Sequence, residues 1–274
     1  MAQFPARDVP LIQSLLRWLR PAPALIEDDV WTACLERCDW IAVLDAERET
    51  RLRELTAQFL HEKTITPLAG LELDATERTL LAAICCLPLL QIGRSGMRGW
   101  SQLLVYPDAF RVQRSHVDAA GVLHEGDDEL IGEAWLQGPL VLSWADVQAD
   151  LEDPWSGFCV AVHEMAHKID ALDGSMDGTP LLPGAWQAQW AKDWQDAYDR
   201  FCEEVDRGDE TAIDPYASTC PEEFFAVLSE CHFSWPELLD PMPAVADHLR
   251  RLYGPAFRRE DHGLPGPPEH LAIT

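Results

Sequence analysis

Apolar residues recur at spacings of three and four along most of the chain, which is the period of an amphipathic helix. Before residue 93 this pattern predicts four helices, near residues 9–20, 28–38, 45–62 and 75–90. Further along it predicts three more, near 155–172, 184–205 and 221–233. Asp74 and Glu77 have the spacing of a capping box, and Thr219, Pro221 and Glu222 have the residue types of a second capped start. The aromatic stripe of the 184–205 helix predicts a core-facing surface.

A loop rich in Gly, Arg and Ser at residues 93–99 ends the first helical stretch. Short strand-like runs follow it, at residues 103–106, 110–113 and 139–143. We therefore expect an α+β fold that is mostly helical with a small sheet. We expect a helical N-terminal part over 1–92, a core over 93–256 and a flexible tail over 257–274, together in one compact unit.

Charge and cysteine content narrow the function. The formal net charge of the 274 residues is -26, which repels phosphate backbones and argues against direct nucleic-acid binding. The eight cysteines form no CxxC pair, and the N-terminus has no secretory signal, so we expect free thiols in the cytoplasm. The longest apolar run, 80–92, contains Pro88 and is too short to span a bilayer, so we expect no membrane association.

Residues 163–167 read His163-Glu164-Met165-Ala166-His167, an HExxH sequence. On a helix, positions i and i+4 share a face, so both imidazoles can bind one zinc ion while Glu164 accepts a proton from the metal-bound water. Asp153 and Pro154 predict the start of this helix, and Asp173-Gly174 predicts its end. The alternative is an accidental match on a solvated helix face.

A catalytic zinc site needs a third protein ligand and leaves one position for water. The chain lacks the HExxHxxGxxH continuation, so a third histidine in that position is excluded. Carboxylates of the later helix remain as candidates, namely Glu222, Glu223 and Glu230. Glu222 lies at the helix start and faces elsewhere, whereas Glu223 and Glu230 are on one face. Periodicity leaves open which of this pair binds metal and which orients a ligand.

Several motifs occur together with HExxH and carry a family resemblance. They read HEMAHKID at 163–170, DPYAS at 214–218 and EEFFAVLSE at 222–230, with GEAW at 132–135 and GPLVLSW at 138–144. With Asp173-Gly174 and Asp177-Gly178, this set resembles the zinc metallopeptidases of the Mlc titration factor A family. These are gluzincin-type enzymes, similar to the catalytic domain of anthrax lethal factor.

The resemblance implies a zincin-like core and a site in which the third ligand is a Glu seven residues after an active-site Tyr. Tyr216 and Glu223 stand at that spacing, so the resemblance assigns Glu223 to the metal and Tyr216 to catalysis. We expect one Zn²⁺ per chain, and Tyr216 as a donor to the oxyanion. Asp170, one turn beyond His167, is a candidate acceptor for a ligand imidazole, or simply a helix-surface residue.

Two functions follow from this resemblance. The first is a zinc peptidase, aminopeptidase-like or of narrow specificity, acting on a peptide substrate. The run 139–144 is then either an edge strand that binds substrate backbone or a buried core strand. The alternative function is a regulatory protein that sequesters a transcriptional repressor controlling sugar uptake. A purely structural zinc is disfavoured, because three protein ligands leave the site open.

Overall fold

The computed structural model describes residues 23–108 and 138–257. Helices dominate these ranges and accompany one small sheet, which confirms the α+β class. The predicted helix at 9–20, the predicted strand at 110–113, the GEAW motif and nearly all of the tail lie outside the described residues. The α-helices, α1 to α10 in chain order, are Asp28–Arg37, Asp39–Ala42, Ala46–Glu62, Ala75–Cys86, Leu89–Ile92, Trp144–Glu152, Val160–Asp170, Gly184–Arg207, Pro221–Ser234 and Pro243–Tyr253.

The sheet has three parallel strands in the order β1-β2-β3. They are Thr64–Pro67, Gln102–Tyr106 and Leu140–Ser143. Leu103 of β2 is in register with Ile65 on one side and Leu140 on the other. Among the described strands β3 lies at an edge, yet Leu140 and Leu142 are buried and the strand contacts α7. Among the described strands this run is therefore an edge strand with buried side chains, and its binding of substrate backbone stays a prediction.

Helix α4 begins at a capping box formed by Asp74 and Glu77. The Asp74 carboxylate accepts a hydrogen bond from the Glu77 N–H, and the Glu77 carboxylate accepts one from the Asp74 N–H, so the predicted capping box is confirmed. The predicted helix over 75–90 is interrupted, because Pro88 starts the separate short helix α5. Within the described ranges no single helix is long and apolar enough to cross a membrane. The pair Ala75–Cys86 and Leu89–Met97, bent by 77°, passes on length and composition alone.

The start predicted for the HExxH helix is wrong. Asp153 is instead the C-cap of α6, and α7 begins only at Val160, with Cys159 as its N-cap. Gly157 adopts φ 94° between the two helices, a left-handed conformation that interrupts a continuous helix. Phe158 precedes α7 and is 46% exposed, so it does not contribute to the buried apolar face of that helix. The predicted end is confirmed: a short 3₁₀ turn follows Asp170, and Gly174 adopts φ 99°.

The aromatic stripe of α8 lies in the core, as predicted. Trp190 and Trp194 are stacked with ring centroids 4.2 Å apart, and each packs edge-on against Phe225 of α9. All residues of α9 from Phe224 onward are buried. Helix α9 is thus held by α8 on one side and by α7 on another. The division of the chain at residue 92 remains a prediction.

Candidate metal centre

Helix α7 places two imidazoles on one face. His163 and His167 are one turn apart, and their Nε2 atoms lie 3.2 Å from each other. The opposite face of α7 is anchored by the fully buried side chains of Val162, Met165 and Ile169. Burial of these apolar side chains stabilises the helix by about 1.5–3 kcal/mol each and fixes the direction in which both imidazoles point.

Helix α9 brings a carboxylate to the same point. Glu223 Oε2 lies 3.1 Å from His163 Nε2, and Glu223 Oε1 lies 3.6 Å from His167 Nε2. Within the described ranges, no other set of three or more His, Cys, Asp or Glu residues places its ligand atoms within 4.8 Å of one another. Ligand atoms around a tetrahedral zinc ion are about 3.3 Å apart, given bonds of about 2.0–2.1 Å. The geometry of these three residues therefore fits zinc.

Glu223 Oε2 is buried and forms no hydrogen bond with the described residues. A buried carboxylate oxygen without a hydrogen-bond donor is unfavourable unless a cation compensates it. This observation, like the distances, fits a bound metal ion. Glu222, the neighbouring candidate, has its own surroundings near Cys220 and belongs to no such cluster.

Glu230 contacts the same helix in a different way. Its Oε1 accepts a hydrogen bond from His163 Nδ1 at 2.6 Å, and its Oε2 accepts one from the Cys159 N–H at 2.7 Å. With the proton on Nδ1, the Nε2 lone pair of His163 faces Glu223 and is available to a metal. Of the two carboxylates that periodicity left open, Glu223 faces both Nε2 atoms and Glu230 lies behind His163.

The role suggested for Asp170 is wrong. Its Oδ2 accepts a hydrogen bond from the Gly178 N–H at 2.8 Å, and its Oδ1 has no hydrogen-bond partner among the described residues. Burial, together with the nearby carboxylates of Asp177 and Asp173, raises the pKa of Asp170 to about 7 against this hydrogen bond. The carboxylate that accepts from the His163 imidazole is therefore Glu230, which comes from α9 rather than from the next turn of α7.

Glu164 lies on α7 between the two histidines and is partly exposed. Its carboxylate forms no hydrogen bond with the described residues, so it can accept one from water. Tyr216 lies in the 3₁₀ turn Pro215–Ser218, where it is half-buried against the core, and this turn packs on α9. Its position at the entry to α9 follows from a hydrogen bond that its N–H donates to Asp214 Oδ1.

The predicted capping box at the start of α9 is wrong. Cys220 is the N-cap and its side chain forms no cap hydrogen bond, although Pro221 is the first helical residue as expected. The Thr219 hydroxyl instead donates to the Tyr216 carbonyl at 2.7 Å. Thr219 thus stabilises the turn that carries Tyr216, and Glu222 has no capping role.

The charges of the cluster are strongly coupled. Burial disfavours protonated His163, but the carboxylates of Glu230 and Glu223 outweigh this effect and raise the pKa of His163 to about 10. Burial likewise opposes the charge of Glu223, yet its contacts with His163 and His167 hold the pKa of Glu223 well below its usual range. His163 must therefore release a proton before its Nε2 can bind a cation.

Sequence reasoning gave no role to Lys168, which follows the second histidine. Its ammonium group donates to the Gly138 carbonyl at 3.0 Å and so connects α7 to the chain two residues before β3. Burial lowers the pKa of Lys168, and the nearby Glu164 carboxylate partly offsets this effect. A lysine four residues after Glu164 lies on the same helix face, which was the available signal.

The chain is similar in sequence to a metallo-peptidase family and to named bacterial proteins. Residues 16–254 match the family described as glucose-regulated metallo-peptidase M90, and this range contains all five candidate site residues. The protein named Mlc titration factor A from Escherichia fergusonii is 40% identical over 215 residues, which cover 77% of this chain and 80% of that protein. The protein of the same name from Klebsiella pneumoniae is 38% identical over 230 residues, covering 82% and 86%.

Proposed function

Because this chain belongs to the glucose-regulated metallo-peptidase M90 family, we propose that it is a zinc-dependent peptidase. The observation that carries the proposal is the convergence of His163, His167 and Glu223 at the separations that a tetrahedral ion requires. These three residues are the proposed metal ligands. Three protein ligands leave a coordination position for water, which favours a catalytic over a structural zinc.

Zinc is proposed from the chemistry of the donors. Two imidazole nitrogens and one carboxylate oxygen form a set typical of catalytic zinc in peptidases. The chemistry that such an ion supplies is a nucleophilic water at neutral pH and polarisation of the scissile carbonyl. The protein residues around the site then bind substrate, move protons and stabilise charge.

Glu164 is the proposed general base. It lies between the two histidines on α7, and its partly exposed carboxylate, which forms no hydrogen bond with the described residues, can accept the proton of the attacking water. Glu164 then donates the same proton to the leaving amine nitrogen, which completes peptide-bond cleavage without a second proton carrier. Lys168 lies one turn after Glu164 on the same face of α7 and is close enough to interact electrostatically with it.

Tyr216 is the proposed electrophilic residue. Its turn packs on α9, the helix that carries Glu223, and a neutral phenol can donate a hydrogen bond to the oxyanion as negative charge develops there. Strand β3 is the proposed binding edge for substrate backbone, because it lies at an edge among the described strands and contacts α7 directly. Aminopeptidase-like or narrow specificity is the finer proposal.

We place this reaction in the cytoplasm. All eight cysteines are free thiols, as the sequence predicted, and six of them are buried. Free thiols are typical of a reducing compartment. The substrate is a peptide, and the strongly negative formal charge of -26 disfavours nucleic acid as a direct partner.

A second candidate function rests on the relatives' name. A protein called Mlc titration factor A is, by that name, a factor that titrates Mlc. We propose as the alternative that this chain binds a transcriptional repressor protein controlling sugar uptake. Experiment can separate the two functions, because peptidase activity requires the general base Glu164, whereas binding of a repressor requires no general base.

The test is cleavage of a peptide library by the purified protein, with and without a zinc chelator. The proposal predicts cleavage that the chelator abolishes and that added Zn²⁺ restores, and the Glu164→Gln variant provides the control for contaminating peptidases. Cleavage that persists in the chelator or in Glu164→Gln would contradict it. A zinc-loaded protein that cleaves nothing but binds a repressor would favour the alternative.

A further inference from the structure

Gly178 lies where the helices of the metal centre meet, although the loop that contains it supplies no metal ligand. We propose that the contact between Asp170 and Gly178 is a clamp that positions α9 against α7 and so sets the distance from Glu223 to the two histidines. Asp170 and Gly178 are then positioning residues. The inference rests on the proposed metal function and extends it to the residues that build the site.

The first half of the clamp is the bond from Asp170. Asp170 is the last residue of α7, three positions after His167, and its side chain is completely buried. Its Oδ2 accepts the hydrogen bond from the Gly178 N–H at 2.8 Å. This is the one hydrogen bond that the Asp170 carboxyl group forms with the described residues, and a buried polar group is unfavourable without such a bond, so the contact fastens the loop to the end of α7.

The second half is the contact of Gly178 with the start of α9. Gly178 adopts φ 78°, and a Cβ atom at this position would lie 2.4 Å from the Pro221 carbonyl oxygen and 2.8 Å from its carbonyl carbon. Pro221 is the first residue of α9 and stands two positions before Glu223. The glycine backbone therefore touches the turn of α9 that carries the third proposed ligand.

A third contact makes the position of Gly178 rigid. Its carbonyl accepts a hydrogen bond from the buried Trp190 Nε1 at 3.2 Å. Trp190 belongs to α8 and packs against Phe225 of α9, with ring centroids 5.8 Å apart. The peptide groups of Gly178 are thus tied to α7 through their N–H and to α8 through their carbonyl, while the residue itself abuts α9.

The size of the expected effect follows from these distances. Ordinary contact of a Cβ atom begins at 3.4 Å, so an alanine at 178 would have to move the Pro221 carbonyl, or the loop, by about 1 Å. Metal–ligand distances tolerate only about 0.2 Å. A shift of the first turn of α9 would therefore pull Glu223 away from the histidines.

The neighbouring loop carboxylate provides a matched control. Asp173 is exposed, and among the described residues its Oδ1 accepts from the N–H and hydroxyl of Ser175, within the loop. Removing it changes the loop but not the contact with α7 or α9. A general effect of loop stability would appear in Asp173→Ala as well, whereas an effect of the clamp would not.

The experiment compares Asp170→Ala, Asp170→Asn, Gly178→Ala and Asp173→Ala with the wild-type protein. The measurements are Zn²⁺ affinity by chelator competition and the visible absorption spectrum of the Co²⁺-substituted protein, which reports ligand geometry independently of activity. We expect Asp170→Ala and Gly178→Ala to weaken zinc binding about 10- to 100-fold and to alter the cobalt spectrum. Asp170→Asn, which keeps the acceptor oxygen, should recover affinity to within a fewfold, and Asp173→Ala should match the wild type.

Wild-type affinity and an unchanged spectrum in both Gly178→Ala and Asp170→Ala would overturn the clamp while leaving the proposed zinc site intact. Equal weakening in Asp173→Ala would also overturn it. If Asp170→Ala fails to fold, Gly178→Ala decides the question, since it retains the buried acceptor at Asp170. A wild-type protein that binds no zinc would contradict the proposed function itself, and the clamp with it.

Discussion

Glu230 and Glu223 contact opposite nitrogens of the His163 ring. The Oε1 atom of Glu230 lies 2.6 Å from His163 Nδ1, and His163 Nε2 faces Glu223. This bond fixes the ring orientation and the tautomer that a metal requires. The other oxygen of Glu230 accepts from the N–H of Cys159, so the same carboxylate also anchors the start of α7. One buried side chain thus supports both His163, a proposed ligand, and the start of the helix that carries it.

Substitution of Glu230 should therefore weaken metal binding without removing a ligand. We expect Glu230→Gln to reduce Zn²⁺ affinity about 10- to 100-fold, because an amide is a weaker acceptor for the imidazole N–H. Chelator competition measures the change. Glu222→Gln is the matched control, since Glu222 is on the same helix but outside the cluster of His163, His167 and Glu223. The Zn²⁺ affinity of this variant should equal that of the wild type. An unaltered affinity in Glu230→Gln would argue against this supporting role.

Removal of the proposed base should separate metal binding from turnover. Glu164→Gln keeps the shape of the side chain but cannot accept the proton of the attacking water, so kcat should fall by about 10²- to 10⁴-fold. Zinc content should remain that of the wild type, because Glu164 is not a ligand. Steady-state kinetics on a cleaved library peptide, with metal analysis of the same sample, checks both. Turnover at the wild-type rate would remove the assignment.

Tyr216 should contribute to the transition state rather than to substrate binding. Tyr216→Phe removes only the phenol hydroxyl, and loss of one oxyanion donor lowers kcat by about 10²- to 10³-fold. KM and zinc content should change little. The control is Tyr198→Phe, because the Tyr198 hydroxyl donates to the Ser218 carbonyl and stabilises the same region from α8. Equal losses of kcat in the two variants would indicate a structural role for Tyr216.

His232 should make the fold sensitive to acid. Burial lowers the pKa of His232 from 6.5 to about 3, and the nearby Arg250 and Arg48 add to this against a hydrogen bond with the Gly254 backbone. Between these pH values the unfolded chain binds a proton that the folded chain does not. The free energy of unfolding therefore falls as the pH falls below 6.5, by about 2 kcal/mol at pH 5 from this residue.

Urea denaturation at pH 7 and pH 5 measures this contribution. His232→Asn should lose about 2 kcal/mol less between the two pH values than the wild type, because asparagine does not titrate there. His61→Asn, at a partly exposed position, is the control and should retain the wild-type difference. If His232→Asn shows the same pH dependence as the wild type, His232 is not the acid-sensitive group.

Contacts between residues close in the sequence could be predicted from the sequence, whereas contacts between distant residues could not. The pairing of His163 with His167 depends on one helical turn, and the capping box at Asp74 depends on three residues, so both could be read from local spacing. The bond between His163 and Glu230 spans 67 residues. Helical periodicity restricted the carboxylate to a pair, but only the packing of α9 on α7 decides which member faces the Nε2 atoms.

Two predictions made from local sequence were wrong, because the same local pattern is compatible with more than one structure. Asp153-Pro154 has the residue types of a helix start, but proline is also common just after a helix ends, and Asp153 is the C-cap of α6. Asp170 stands one turn beyond His167, where helix geometry suggested a bond to the imidazole. The loop folds back and provides the Gly178 N–H instead. Such a contact depends on a tertiary turn that no local pattern specifies.

The most direct test of the zinc site is the zinc-to-protein ratio of the wild type and Glu223→Ala, measured by elemental analysis after removal of loosely bound metal. In the described ranges, His163, His167 and Glu223 form the one group of three or more side chains that could bind a metal ion. The account therefore predicts one zinc ion per wild-type chain and almost none in Glu223→Ala. A wild-type protein without stoichiometric zinc, or a Glu223→Ala variant that retains it, would contradict the account.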